Sequence, residues 1–407
     1  MDPVKPSLEL LRSLTDEHVL RALMRHRRLT RAELAAETGI SKPTVGESVR
    51  RLTGLGAVAD TGERTPGGRG RGRVGSYYAL AAETGVALAV SIAPGGVVAE
   101  CVDVYGDAVS RAERPLDRPA RPDDVEVALR AAAATAWHSA VQPEVAQPEV
   151  AQPEVAQPGA GLTPRLAVVS AADPVDRHTG RLVHLPDAPF LVGELDPAAV
   201  LAPEVGGPVI VDNDVNWAAR AERDHAGAAL DDYAYLFLGE GLGCAIVSDG
   251  EVRRGHGGLA GEIAHLITPG PRGRAVPFIE VFGQLGLRQA GATAIDVDRL
   301  LAAVTGSGAA AADTRRALSQ AIGGVLAAVV ALADPELVVV GGPWGRHPVI
   351  LGLIVAAAAC LPRPAQVQAA ALTAEPSLAG ARLEALGRLR SAILADARQA
   401  QAGRQYM

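Results

Sequence analysis

Residues 28–52, RLTRAELAAETGISKPTVGESVRRL, constrain the N-terminal fold most tightly. Ala32, Leu34, Ala35 and Ala36 are spaced for a short amphipathic helix, and Gly39 follows where a tight turn needs positive φ. Ile40 is expected to plug the space between two helices. Ser41 suits the N-cap of a second helix whose first turn holds Lys42, Pro43 and Thr44, where the N–H that proline lacks has no intrahelical partner anyway. Val45, Val49 and Leu52 form its predicted buried stripe, and Lys42, Thr44, Glu47, Ser48 and Arg51 the opposite face. This is the pattern of a helix-turn-helix, whose second helix meets base edges in the major groove. Taken alone, the stretch also fits an ordinary helical hairpin with a solvated basic face.

The following residues favour the first reading. Val58 and Ala59 suggest a short strand, residues 62–75 a loop with Arg64, Arg69, Arg71 and Arg73 among many glycines, and residues 76–80 a returning strand. That is the outline of a winged helix, and an arginine-glycine wing can enter a minor groove or follow phosphates. The candidate DNA contacts are therefore Arg31, Ser41, Lys42, Thr44, Glu47, Ser48, Arg51, Arg69, Arg71 and Arg73. A winged helix-turn-helix domain is expected over residues 1–80.

Charge divides the chain in the same place. Residues 1–80 hold 14 Lys and Arg against 9 Asp and Glu, an excess of +5, whereas the whole chain carries −7 and the remainder therefore −12. A basic head on an acidic body is expected where only the head meets a polyanion. The 407 residues suffice for that head and a large two-lobed body over 81–407. Cys101, Cys244 and Cys360 are too scattered for a metal knuckle, and the N-terminus does not read as a signal peptide, which points to a reduced cytoplasm. The apolar run 349–361 is shorter than the roughly 20 residues that span a bilayer, so a buried helix and no membrane role are expected. Between residues 142 and 158 the pentapeptide QPEVA occurs three times. Proline at that period blocks a continuous helix, and the repeat reads as an exposed insertion after a helix around 125–140.

Beyond the wing, strand-like segments at 86–92, 96–104, 166–170, 209–211, 233–238, 244–248 and 337–340 alternate with helical ones, which argues an α/β fold. In PVIVDNDVNWAARAE, residues 208–222, a buried strand delivers Asp212, Asn213 and Asp214 at its carboxyl end, where carboxylates line ligand clefts. The glycine-rich hairpin of residues 236–265 then ends in Glu262 and His265, which also fit a ligand-free hydrogen-bond pair.

In this order, the helix-turn-helix, Asn213-Asp214, the glycine-rich hairpin, GGLAGEIAH at 257–265 and VVVGG at 338–342 resemble the ROK family, in its branch of transcriptional regulators. The resemblance implies a bilobal actin-like ATPase (ribonuclease H-like) fold, a sugar site between the lobes and homo-oligomers on palindromic operators in double-stranded DNA. It matches Asp214 to the kinase catalytic base, here vestigial, and Asn213, Glu262, His265 and Glu280 to sugar-contacting positions. Carboxylates, an amide and an imidazole can hold adjacent hydroxyls in paired hydrogen bonds.

The departures are equally informative. Family kinases hold metal and ATP phosphates with an aspartate, two glycines and a threonine where this chain has Ser91, Ala93, Pro94 and Gly95. Pro94 removes a backbone donor, and Glu240 adds negative charge to the second glycine loop. The family's structural zinc uses His265 and cysteines before Glu280, but ITPGPRGRAVPFIE, residues 267–280, has none; no metal or cofactor is expected, and Phe278 and Ile279 are expected to brace the loop. The resulting expectation is a cytoplasmic DNA-binding regulator, a repressor, with a sugar or sugar-derivative effector and no kinase activity. A sugar kinase and an effector-independent DNA-binding oligomer are the alternatives.

Overall fold

The structure, a computed structural model, describes residues 8–65, 74–118, 120–141, 163–185, 190, 194–227 and 230–403. Arg69, Arg71, Arg73 and the QPEVA repeats lie outside the described residues. The N-terminal unit runs α1 (Leu8–His26), β1 (Arg28–Thr30), α2 (Arg31–Thr38), α3 (Lys42–Gly54), β2 (Val58–Arg64) and β3 (Ser76–Leu80). The Thr30 side chain and Glu33 form a reciprocal capping box at α2, Gly39 turns at φ 70°, and Ser41 caps α3. The three strands pair in the order β1-β3-β2. This is the expected winged helix-turn-helix, with β2 reaching Arg64 and so running further than the sequence suggested.

The body begins with β4 (Ala87–Ala93), β5 (Gly96–Val102), β6 (Ala108–Pro115), α4 (Pro122–Val141), β7 (Ala167–Ala171), α5 (Pro197–Leu201), β8 (Val209–Asn213) and α6 (Asp214–Ala226). It continues with β9 (Tyr233–Leu238), β10 (Leu242–Ser248), β11 (Glu251–Val252), β12 (Ile267–Pro269), β13 (Ala275–Pro277), α7 (Phe278–Gln284), α8 (Val297–Thr305) and α9 (Ala309–Ala333). The last elements are β14 (Leu337–Gly341), α10 (Pro348–Ala359), β15 (Gln366–Ala369) and α11 (Pro376–Gly403).

Two five-stranded sheets, β6-β5-β4-β7-β8 and β11-β10-β9-β14-β15, share one design. In each, an antiparallel meander is extended by two strands parallel to its first strand. This is the expected bilobal actin-like arrangement. α4 covers one face of the first sheet, with Leu88, Val90, Val125, Leu129 and Val169 in its core. The other face packs on α11 and, through it, on the N-terminal unit: Ala87, Ala89, Leu389 and Ile393 share a core with Leu20, Leu23, Leu34 and Leu52. α6 packs on the second sheet through Val215, Ala218, Tyr233 and Tyr235. Among the described residues one helix, α9, is long and apolar enough to cross a membrane; here its Leu318, Ile322, Val325 and Leu326 are buried in the second lobe's core.

Candidate functional site

Helix α3 buries Val45, Val49 and Leu52 completely and exposes Lys42, Thr44 and Glu47, as its spacing predicts. Two expected DNA contacts need correction. Ser48 is fully buried, its hydroxyl donating to Asp16, and Arg51 donates from Nε at 3.2 Å and Nη2 at 2.6 Å to the same carboxylate. Asp16 itself is 1% exposed on α1. An uncompensated carboxylate there would be costly, so Ser48 and Arg51 turn inward to satisfy it and clasp α3 to α1. Arg31 is exposed and lies over the Tyr78 ring, 4.9 Å from its centre.

Between the lobes lies a cavity of about 400 Å³ whose lining includes Asn213, Asp214, Glu262 and His265. Their placement follows from the chain. β8 ends at Asn213, whose Oδ1 accepts from Val215 N–H at 3.0 Å and caps α6, while its Nδ2 donates to the carbonyls of Ala171 and Asp173. Asp214 then opens α6 facing the cavity. Opposite, Gly261 at φ 98° passes so close to β10 that a Cβ would sit 1.7 Å from the Cys244 carbonyl oxygen. That contact, with Cys244 N–H donating to Gly261 O at 2.9 Å, fixes the wall on which Glu262 stands. Burial pushes both acids up to about 7, and for Glu262 the nearby Asp214 charge adds to the effect.

Glu280 also needs correction. It is absent from the cavity lining and pairs with Arg288 at 3.1 Å, while the preceding Ile279 faces the cavity. The residues also do not fit a zinc site: among the described residues no group of three or more His, Cys, Asp or Glu is placed to hold a metal. The loop is held by buried Phe278 and Ile279, with Phe278 N–H donating to Leu266 O at 2.8 Å.

Sequence reasoning missed two arginines. Arg254 reaches the buried Asp212 at the end of β8, with Nε 2.7 Å from Oδ2. Arg118 spans the far side of the cavity: its Nη1 lies 2.5 Å from Glu240 Oε2, and its Nε donates to the Pro94 carbonyl at 3.1 Å. It thereby joins the β4–β5 turn to the β9–β10 turn, the two loops that the resemblance assigns to phosphate. No local pattern marks either arginine, because each partner lies far along the chain.

Comparison with known proteins agrees with this architecture. The winged helix-turn-helix DNA-binding family model matches residues 12–58, and the ROK family model residues 161–281. A bifunctional enzyme NanE/NanK from Brucella suis is 34% identical over 147 residues, 35% of this chain and 27% of that protein. The chain thus matches little more than a quarter of that relative's length. A Halalkalibacterium halodurans glucokinase is 46% identical over 69 residues, 17% of this chain and 21% of its own. Among solved structures, a ROK family transcriptional regulator homologous to the E. coli MLC protein superposes with a TM-score of 0.59 at 17% identity, over 96% of this chain and 99% of that one. A ROK family glucokinase from Streptomyces griseus, in complex with glucose and AMPPNP, gives 0.53 at 25% identity, over 74% and 99%.

Proposed function

We propose that this chain, a winged helix-turn-helix joined to a domain with the ROK family signature, is a cytoplasmic sequence-specific transcriptional regulator, acting as a repressor, whose interlobe cleft takes a neutral sugar or sugar derivative and performs no phosphoryl transfer. The observation that carries the reading is the cleft's asymmetry. One side presents Asn213, Asp214, Glu262 and His265, suited to hydroxyls, while Arg118 and Glu240 pair across the side where a nucleotide's phosphates would lie. Phosphoryl transfer depends on metal and backbone donors around those phosphates. Here Pro94 lacks the donor, its carbonyl accepts from Arg118, and Glu240 is a carboxylate.

A sugar would act by linkage. It changes DNA affinity only insofar as it binds the DNA-competent and DNA-incompetent states unequally. Homo-oligomers would place paired heads on a palindromic operator, with Lys42, Thr44 and Glu47 facing the groove and the arginine-rich wing adding phosphate contacts. Fluorescence anisotropy on the chain's own promoter, with and without hexoses, N-acetylhexosamines and pentoses, tests this. A sugar should shift the binding midpoint, and Glu262→Ala and His265→Ala should each abolish the shift while leaving sugar-free DNA binding in place.

The kinase reading has support of its own in Asp214, a cleft acid raised to about 7, and in relatives named as kinases. Sugar-dependent ADP formation that disappears in Asp214→Asn would establish it over the regulator-only account.

A further inference from the structure

Four buried positions on α3, Val45, Ser48, Val49 and Leu52, define its inner face. At about 100° per residue the centre of the outer face then falls between Pro43, Glu47 and Arg50, with Thr44 and Arg51 on its flank. The Glu47 and Arg50 side chains are 57% and 71% exposed, yet they are joined to each other. Arg50 Nη1 donates to Glu47 Oε2 at 3.1 Å and Nη2 to Oε1 at 2.8 Å. With Ser48 and Arg51 committed to Asp16, this pair is the polar centre of the surface that α3 offers.

A carboxylate in that place needs a reason. It repels phosphates and lowers general affinity for DNA. It gains a role if it keeps the neighbouring guanidinium from settling on any phosphate within reach, and if it accepts a hydrogen bond from a base. Arginine matches O6 and N7 of guanine as a bidentate donor, and a carboxylate accepts from the N4 amino group of cytosine. An end-on pair leaves the remaining guanidinium donors for a base edge.

We propose that Glu47 and Arg50 form the base-reading pair of the head: Arg50 determines specificity by donating to a guanine, and Glu47 holds it in place and accepts from a cytosine amino group beside it. The inference rests on the reading that α3 enters the major groove, and adds which residues choose the sequence and what they choose.

The test is selection of bound duplexes from a random library by the full chain, comparing parent, Arg50→Ala, Arg50→Lys and Glu47→Gln. Each protein is first matched for thermal melting. The parent should enrich a motif with guanine at a fixed position. Arg50→Ala should lose that guanine while keeping the rest of the motif, and its affinity for the parental duplex should fall by roughly ten- to hundredfold. Arg50→Lys should restore the preference only in part, because an ammonium can reach O6 and N7 of guanine but lacks the planar fork that would meet both the base and Glu47. Glu47→Gln should bind unselected duplex more tightly and discriminate less. If the parent selects a motif and Arg50→Ala selects the same one, guanine included, the pair is overturned while the head remains a DNA reader. If the parent enriches no sequence, the reading of α3 falls and the pair with it.

Discussion

Asp214 and Glu262 face one another's charge across the cleft wall, and burial raises each from its ordinary range of 3.8 and 4.5 to about 7. The sign for stability follows. Below about pH 4 both folded and unfolded chains hold these protons; between about 4 and 7 the unfolded chain releases them first, so stability falls as pH rises and levels off above 7. Each pKa unit of displacement corresponds to ~1.4 kcal/mol. Ligand-free protein should therefore melt at higher temperature at pH 5 than at pH 8 through this pair, and Asp214→Asn with Glu262→Gln should remove that part of the slope. An unchanged slope in the double variant would place the titration elsewhere. Asp16 shows the opposite use of a buried acid. Its carboxylate accepts from Ser48 and Arg51, so Asp16→Ala leaves both donors facing a small cavity and should cost on the order of 2–4 kcal/mol. Urea unfolding measures that loss directly; a change within a few tenths of a kcal/mol would mean that water replaces the carboxylate without penalty.

At the scale of elements, α6 and α11 are in close backbone contact. A Cβ on Gly380 would come within 1.9 Å of the Trp217 carbonyl oxygen, a backbone atom that cannot rotate aside. Alanine in a helix interior is worth about 1 kcal/mol over glycine, whereas forcing packed elements apart costs about 1–3 kcal/mol. Gly380→Ala should therefore be net destabilising by thermal melting, and a stabilised variant would show that the helices separate freely. What could be read from sequence follows the range of the signal. α2 and α3 were legible because apolar spacing, the turn glycine, the Ser41 cap and the first-turn proline act within a few residues, and strands β4, β5, β7, β8, β9, β10 and β14 because apolar runs mark them. β6, whose SRAER alternation is mostly charged, and β15, four residues on a sheet edge, carried no such mark. Ser48 was misplaced although helical spacing, three residues after Val45 and four before Leu52, puts it on the buried stripe; only its partner Asp16, 32 residues away, lies beyond local reading. Glu280 falls on α7, but Ile279 takes the cavity wall and Arg288 draws the carboxylate aside.

The molecule as a whole is organised by α11. Its first residues, Pro376 and Ser377, line the interlobe cavity; further along, Arg390 donates to the carbonyls of Val104 at 2.9 Å and Met24 at 3.3 Å, and Arg398 pairs with Glu17 of α1. Arg27 also reaches Asp107 at 2.6 Å, so the N-terminal unit is tied to the first lobe by more than the chain that joins them. Because Leu389 and Ile393 lie in one core with Leu20 and Leu23 of α1 and Ala87 and Ala89 of β4, these elements should open together. Leu389→Ala, at a fully buried position, should cost ~2–5 kcal/mol and accelerate amide exchange in both α1 and β4. A bound sugar at a hundred times its dissociation constant adds roughly 2.7 kcal/mol to the unit that binds it. If cleft and head form one cooperative unit, that gain appears as slowed exchange at α1 amides as well as at α6. Protection that stops at α6 and β8 while α1 exchanges at its ligand-free rate would mean that the head opens independently, and an effector would then have to act through the relative placement of subunits instead of through α11.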